Sequence, residues 1–205
     1  EDRTIMMIVY VDDTIISTSR KEQMEFIISK LMKQYEVRAM GIPKTFLGID
    51  IVYNRNSGLI FISQTHYIRT LVNRFGLDVT HRTKTPMQQD VYAELCIHAG
   101  DGSTGKPYKA LVGSLIYLSV CTRPDIAHAV SVLGTCFSTS NDFHYGLALR
   151  VLGYLERTEA YGIELGGVNA DVSVYTDTDW AQDARDRKSY GGFTFLAGGS
   201  MVSWS

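Results

Sequence analysis

The sequence of 205 residues predicts an α+β protein with antiparallel sheets, and three observations carry that expectation. Strand-like apolar runs occur in closely spaced pairs across turn-forming residues, as in hairpins. Between the pairs, apolar residues recur at i, i+3, i+4 and i+7, the spacing of amphipathic helices. Beyond Gly162 the period returns to two, so strands resume.

The first hairpin joins the runs 4–11 and 14–18 across Asp12-Asp13. Ser19-Arg20-Lys21-Glu22 then has the capping-box pattern, which predicts a helix start. Met24, Ile27, Ile28, Leu31 and Tyr35 give that helix one apolar face, and it should end near Glu36. Runs 46–53 and 59–62 form a second hairpin across Asn54-Arg55-Asn56-Ser57-Gly58. Ile68, Leu71, Val72 and Phe75 follow at helical spacing and Gly76 closes the helix. Residues 81–106 are polar, with Pro86 and a glycine-rich stretch from Gly100 to Gly105, and read as a surface loop or linker. Three helices are predicted over 108–121, 124–137 and 143–157, joined shortly enough for an antiparallel bundle. Pro124 suits a first helical turn, and Ser140 or Asn141 can cap the third helix. Strands are predicted at 162–165, 172–176, 190–196 and 201–204, the last two joined by Gly198-Gly199.

Charge is nearly balanced, at a formal net of -2, so nucleic-acid binding would need local Lys and Arg placement and not a whole-chain field. Cys96, Cys121 and Cys136 are odd in number and lack zinc-type spacing, which fits reduced intracellular thiols. Cys96 and His98 lie near each other in a polar stretch without further ligands, and the other histidines are scattered. No run is apolar enough for long enough to cross a bilayer. The first residues, Glu1-Asp2-Arg3, and the final strand-like Val202-Ser203-Trp204-Ser205 suggest a fragment with open sheet edges and poor solubility.

The feature that bears chemistry is Tyr10-Val11-Asp12-Asp13. Two carboxylates side by side repel unless a cation compensates them, and oxygen ligands at the tip of a buried strand pair suit Mg²⁺ or Mn²⁺. Such a site serves two-metal phosphoryl transfer. An Asp-Asp pair is also an ordinary solvated turn, and at this point both readings stand.

Tyr-Val-Asp-Asp between apolar strands resembles the reverse transcriptase of copia-type LTR retrotransposons. The resemblance continues, in order, through Thr45-Phe46-Leu47-Gly48-Ile49-Asp50-Ile51, Phe61-Ile62-Ser63-Gln64, Tyr67 and Thr85-Pro86-Met87. It extends through the run from Tyr108 to Leu118 and Thr122-Arg123-Pro124-Asp125-Ile126. It closes with Tyr175-Thr176-Asp177-Thr178-Asp179-Trp180-Ala181, Arg187-Lys188-Ser189 and Val202-Ser203-Trp204-Ser205. Thr14 after the Asp pair and Gly191-Gly192-Phe193 depart mildly from the family pattern.

The resemblance implies a partial polymerase palm with antiparallel sheet, a helical thumb bundle, and a truncated ribonuclease H-like α/β domain. Residues 1–63 would be palm with a primer-grip hairpin at 44–63, 64–160 the thumb or connection, and 161–205 the start of ribonuclease H. Asp12 and Asp13 would be two of three metal-binding catalytic carboxylates, the third lying on an upstream strand outside this chain. Asp177 would be the first ribonuclease H carboxylate, with Asp179 a turn residue. Phe46, Leu47 and Gly48 would meet the primer strand, and Arg69, Arg74, Lys106, Lys109, Arg123 and Arg150 are candidate phosphate contacts.

Implied partners are an RNA template, a DNA primer, an RNA-DNA hybrid, deoxynucleoside triphosphates and the rest of the Pol polyprotein, with no membrane. The implied setting is intracellular, in cytoplasmic virus-like particles and the nucleus. The parental activity would be RNA-directed DNA synthesis with ribonuclease H cleavage. The alternative is an inactive relic or co-opted fragment acting as a nucleic-acid or protein interaction module, and the isolated chain is expected to be inactive.

Overall fold

A computed structural model describes residues 4–77, 83–88, 91, 94–95, 105–166, 171–178, 180 and 189–205. The chain divides into two compact units, Glu1–Phe46 and Leu47–Ser205.

In the first unit, β1 (Ile5–Tyr10) and β2 (Asp13–Thr18) pair antiparallel from Ile5↔Thr18 to Tyr10↔Asp13. Helix α1 (Lys21–Gln34) packs on β2, with Met24, Ile27, Ile28 and Leu31 half-buried. That face matches the predicted periodicity, but Tyr35 is exposed. Two expectations need correction. The capping box does not form: Arg20 is the N-cap, no side chain caps the helix, and the Thr18 hydroxyl donates to the Arg20 carbonyl at 2.8 Å. Because the helix begins one residue later than a Ser19 cap requires, Ser19 and Glu22 lose the reciprocal spacing. The strand pair is also not buried, since every residue of β1 is exposed. A two-stranded ribbon presents two faces, and α1 shelters only the β2 side. The unit ends in the short strand β3 (Thr45–Phe46).

In the second unit, β4 (Ile49–Asn54) and β5 (Leu59–Ser63) form the predicted hairpin. Asn54 shapes its turn: its side-chain oxygen accepts from the amides of Asn56 and Ser57, and its carbonyl from Gly58. Strand β6 (Gly162–Leu165), more than ninety residues on, pairs antiparallel with β5 from Ser63↔Gly162 to Ile60↔Leu165. Helix α2 (Thr65–Phe75) buries Ile68 and Leu71 and ends at Gly76, whose φ of 67° is the left-handed cap predicted there.

Helices α3 (Tyr108–Cys121), α4 (Ala127–Gly134) and α5 (Asp142–Arg157) pack with α2 around one hydrophobic core. Leu111, Leu115 and Leu118 of α3 are fully buried, as their spacing predicts. The single helix expected over 124–137 is broken into a 3₁₀ turn (Pro124–Ile126), α4, and i→i+3 turns through Thr135 and Cys136. Asn141 is the cap of α5: its side chain accepts from the amides of Phe143 and His144, and the His144 ring accepts from the Asn141 amide. The stretch 81–106 lies largely outside the described residues, but Val91, Glu94 and Leu95 are helical, and Val91 and Leu95 enter the core. The loop expectation is wrong there, because two apolar residues four apart suffice to reach a core from one helical face.

Strands β7 (Val172–Thr178), β8 (Gly191–Ala197) and β9 (Ser200–Trp204) form a separate antiparallel sheet. Its anchors include the Trp204 indole N–H, which donates to the Ser119 carbonyl at 2.7 Å, the Ser200 hydroxyl, which bonds both the amide and the carbonyl of Gly166, and Tyr190, whose ring meets His128 edge-to-face. The predicted class, mixed α and β with antiparallel sheets, is what the molecule shows. Among the described residues, no helix is long and apolar enough to cross a membrane.

Candidate functional site

The Tyr10↔Asp13 pairing leaves Val11 and Asp12 as a two-residue turn, with Asp13 opening β2. Val11 has a φ of 50° and is 82% exposed, so a β-branched residue holds the first turn position that a type II′ hairpin ordinarily gives to glycine. Such backbone strain costs roughly 1–3 kcal/mol and concentrates at functional sites. Asp12 and Asp13 are both exposed. Their adjacent carboxylates are an all-oxygen donor set that fits a hard divalent cation in kind, leaving much of its shell to other ligands. Among the described residues, no three His, Cys, Asp or Glu side chains gather into a metal-binding group.

Phe46, half-buried, closes the first unit, and the second opens with a turn. Leu47 and Gly48 have φ of 51° and 75°, the signature of a type I′ turn, so the run expected to be one strand from 46 to 53 breaks here. A Cβ at Gly48 would lie 3.8 Å from the Tyr117 hydroxyl oxygen, an ordinary contact, so glycine is required by φ and not by space. The Tyr117 hydroxyl, from α3, donates a hydrogen bond to the Leu47 carbonyl.

Asp177 stands exposed on β7, opposite Gly192. It belongs to the second unit, whereas Asp12 and Asp13 belong to the first. Asp179 lies outside the described residues, as do Arg187-Lys188, Cys96 and His98. Cys136 is buried and Cys121 half-buried, both free thiols, and burial raises the pKa of Cys121.

Several cations expected to meet phosphate have protein partners. Arg123 is only 1% exposed. Its guanidinium donates to both Asp125 carboxylate oxygens at 2.9 and 2.7 Å, and to the carbonyl and hydroxyl of Thr158 at 3.1 and 2.6 Å. Tyr154 and Tyr161 lie against it, each ring centre 5.6 Å away, and the Tyr154 hydroxyl donates to Asp125. Burial pushes the Asp125 carboxyl upward, but the hydrogen bonds and charge of Arg123, with Tyr154, outweigh it and leave it below the usual range. This corrects the expectation for Arg123, which is a structural lock. Arg69 forms a two-pronged pair with Glu159, whose carboxyl those hydrogen bonds hold low. Lys106 pairs with Asp142 at 3.0 Å, and Arg150 donates to Thr85. Lys109 is exposed.

Sequence reasoning missed Tyr117, Gln64 and Asp50. Gln64 is fully buried and accepts from the Thr122 hydroxyl, and Asp50 accepts from the His66 amide in the first turn of α2. The available signal for Tyr117 was a tyrosine set among Leu115, Ile116 and Leu118, since a half-buried phenol normally finds a hydrogen-bond partner.

A family model described as "Reverse transcriptase (RNA-dependent DNA polymerase)" matches residues 1–89. The chain is 32% identical over 209 residues to the retrovirus-related Pol polyprotein from transposon TNT 1-94 of Nicotiana tabacum, covering all of this chain and 16% of that protein. It is 32% identical over 203 residues to the Pol polyprotein from transposon RE2 of Arabidopsis thaliana, covering 98% of this chain and 14% of that protein. An uncharacterized mitochondrial protein of Arabidopsis thaliana, AtMg00810, is 29% identical over 97% of this chain and 81% of its own length. The chain thus spans about a sixth of the polyproteins it resembles. No solved structure matches it. The reverse transcriptase match at the Asp12-Asp13 end and the full-length similarity to transposon polyproteins place this chain in the copia-type retrotransposon Pol family, as a reverse transcriptase segment.

Proposed function

We propose that this chain serves RNA-directed DNA synthesis, with residues 1–63 acting as polymerase palm, 64–160 as thumb or connection, and 161–205 as the start of a ribonuclease H domain. The observation that carries the reading is the Asp12-Asp13 pair on a strained hairpin tip inside the segment matched by the reverse transcriptase family. Asp12 and Asp13 would hold Mg²⁺ or Mn²⁺, and Asp177 would do so in the ribonuclease H part. The bound ions would lower the charge barrier to attack by a primer 3′-hydroxyl on the α-phosphate of a deoxynucleoside triphosphate. The two carboxylates would orient that chemistry from a fixed turn, and Phe46, Leu47 and Gly48 would bear on the primer strand. RNA template, DNA primer, RNA-DNA hybrid and the other Pol domains are the partners this reading requires, in a cytoplasmic particle or the nucleus.

The test is primer extension on poly-rA/oligo-dT with Mg²⁺ or Mn²⁺, comparing the chain with its Asp12→Asn/Asp13→Asn variant. Extension abolished by the double substitution supports the polymerase reading. A second reading, a co-opted fragment that binds nucleic acid or protein without catalysis, is favoured by the similarity to AtMg00810, which this chain covers over 81% of its length. Equal nucleic-acid binding by both forms, with extension by neither, supports that second reading.

A further inference from the structure

We infer that Tyr117 is a positioning residue that fastens the Leu47-Gly48 turn to helix α3, so that the helical region and this turn behave as one body. The inference rests on the proposed role of the turn at the primer strand.

Leu47 occupies the left-handed region, where a side chain with a Cβ is strained. Such a conformation persists when its surroundings over-determine it. The Tyr117 hydroxyl does so by donating to the carbonyl of Leu47 itself. Tyr117 is in turn held by the ring of Tyr67, on α2, which meets it edge-to-face with centroids 5.4 Å apart. The neighbouring α3 residues Leu115 and Leu118 are fully buried, so the tyrosine projects from a rigid base. Gly48 is exposed while Leu47 is half-buried beside it, which leaves the glycine backbone as the accessible part of a pinned turn. A primer terminus resting there would be set in register by α3 and not by the turn's own stiffness.

The test uses Tyr117→Phe in the full 205-residue chain, which removes the hydroxyl and keeps the ring against Tyr67. Two readouts are needed: amide hydrogen exchange at Gly48 and Ile49, and affinity for an RNA template with a recessed oligo-dT primer against a blunt RNA-DNA duplex of equal length. The expected result is exchange at those amides faster by about fivefold, the factor for losing one hydrogen bond, with the Leu115 and Leu118 amides unchanged. The preference for the recessed end should fall by a similar factor while affinity for the blunt duplex holds. Unchanged exchange at Gly48 and Ile49 overturns the role of Tyr117. Faster exchange, in a chain whose unmodified form shows no preference for the recessed end, upholds the fastening and overturns the primer role of the turn. Gly48→Ala supplies a second route to the same turn, because its φ of 75° resists a side chain without altering α3. If the two substitutions act on one element, their effects on turn exchange fall short of additive, and full additivity also counts against the fastening.

Discussion

Replacing Arg123 by alanine tests whether this residue is a lock or a phosphate contact. Its guanidinium is buried and makes two hydrogen bonds to Asp125 and two to Thr158, so truncation strands a carboxylate, a carbonyl and a hydroxyl together. Breaking a buried ion pair from one side costs about 3–5 kcal/mol. Asp125 retains 31% side-chain exposure, so water recovers part of the loss and the lower end, about 3 kcal/mol, is expected. For a chain of this size that is a fall of about 6–12 °C in the melting temperature of the helical signal. Arg123→Lys should recover little of it, because an ammonium cannot span both carboxylate oxygens and Thr158. The pH dependence follows from the lowered Asp125 carboxyl. A carboxyl whose folded pKa lies below its unfolded value of ~3.9 stabilises fully above that value, and the contribution is lost as pH falls through the folded pKa. Arg123→Ala should therefore flatten the acid end of the stability profile. The assay is thermal melting by circular dichroism between acid and neutral pH, alongside the salt dependence of RNA-DNA duplex binding. A melting temperature within about 2 °C of the unmodified chain would refute the lock. So would a salt slope smaller by about one unit, the signature of a lost phosphate contact.

Three further outcomes are expected. Asn141→Ala should cost about 1 kcal/mol in urea unfolding, since two amides of the first turn of α5 lose their acceptor; an unchanged midpoint would mean that another group caps the helix. Val11→Gly should raise the stability of the first hairpin by about 1 kcal/mol by relieving the positive φ, seen as slower amide exchange in β1 and β2; faster exchange would refute the strain. Trp204→Phe removes the donor to the Ser119 carbonyl. Exchange along β9 should then accelerate while α3 stays protected, and unaltered β9 protection would show that the indole hydrogen bond does not anchor this sheet.

Much of the element order was legible because its causes are local. The i, i+3, i+4 spacing in α3, the Asn54-to-Gly58 turn, the Gly76 cap and the Asn141 cap each involve residues within one or two turns of one another, and each appears where the sequence predicts it. The Asp12-Asp13 pair was likewise visible as a local pattern, although the turn falls one residue earlier than predicted, on Val11 and Asp12, with Asp13 opening β2; its resemblance to copia-type sequences agrees with the family match. Tertiary structure alone decided the rest, because the deciding partners are distant in sequence. Leu47 and Tyr117 are 70 residues apart, Gln64 and Thr122 are 58, and Arg123 and Thr158 are 35. An arginine in Thr-Arg-Pro-Asp has the same composition whether it faces solvent or a core. Only the arrival of Thr158 and Tyr154 from α5 and its end supplies the hydrogen bonds that make burying its charge affordable. Strand β6 reads as a strand anywhere, but its pairing with β5 is fixed by the fold that brings Gly162 beside Ser63. The sequence therefore determined most of the helices, strands and turns whose causes are local, and the family they belong to. The fold determined which polar groups are neutralised inside the molecule and which remain outside to meet a ligand, because desolvation depends on neighbours that no local pattern contains.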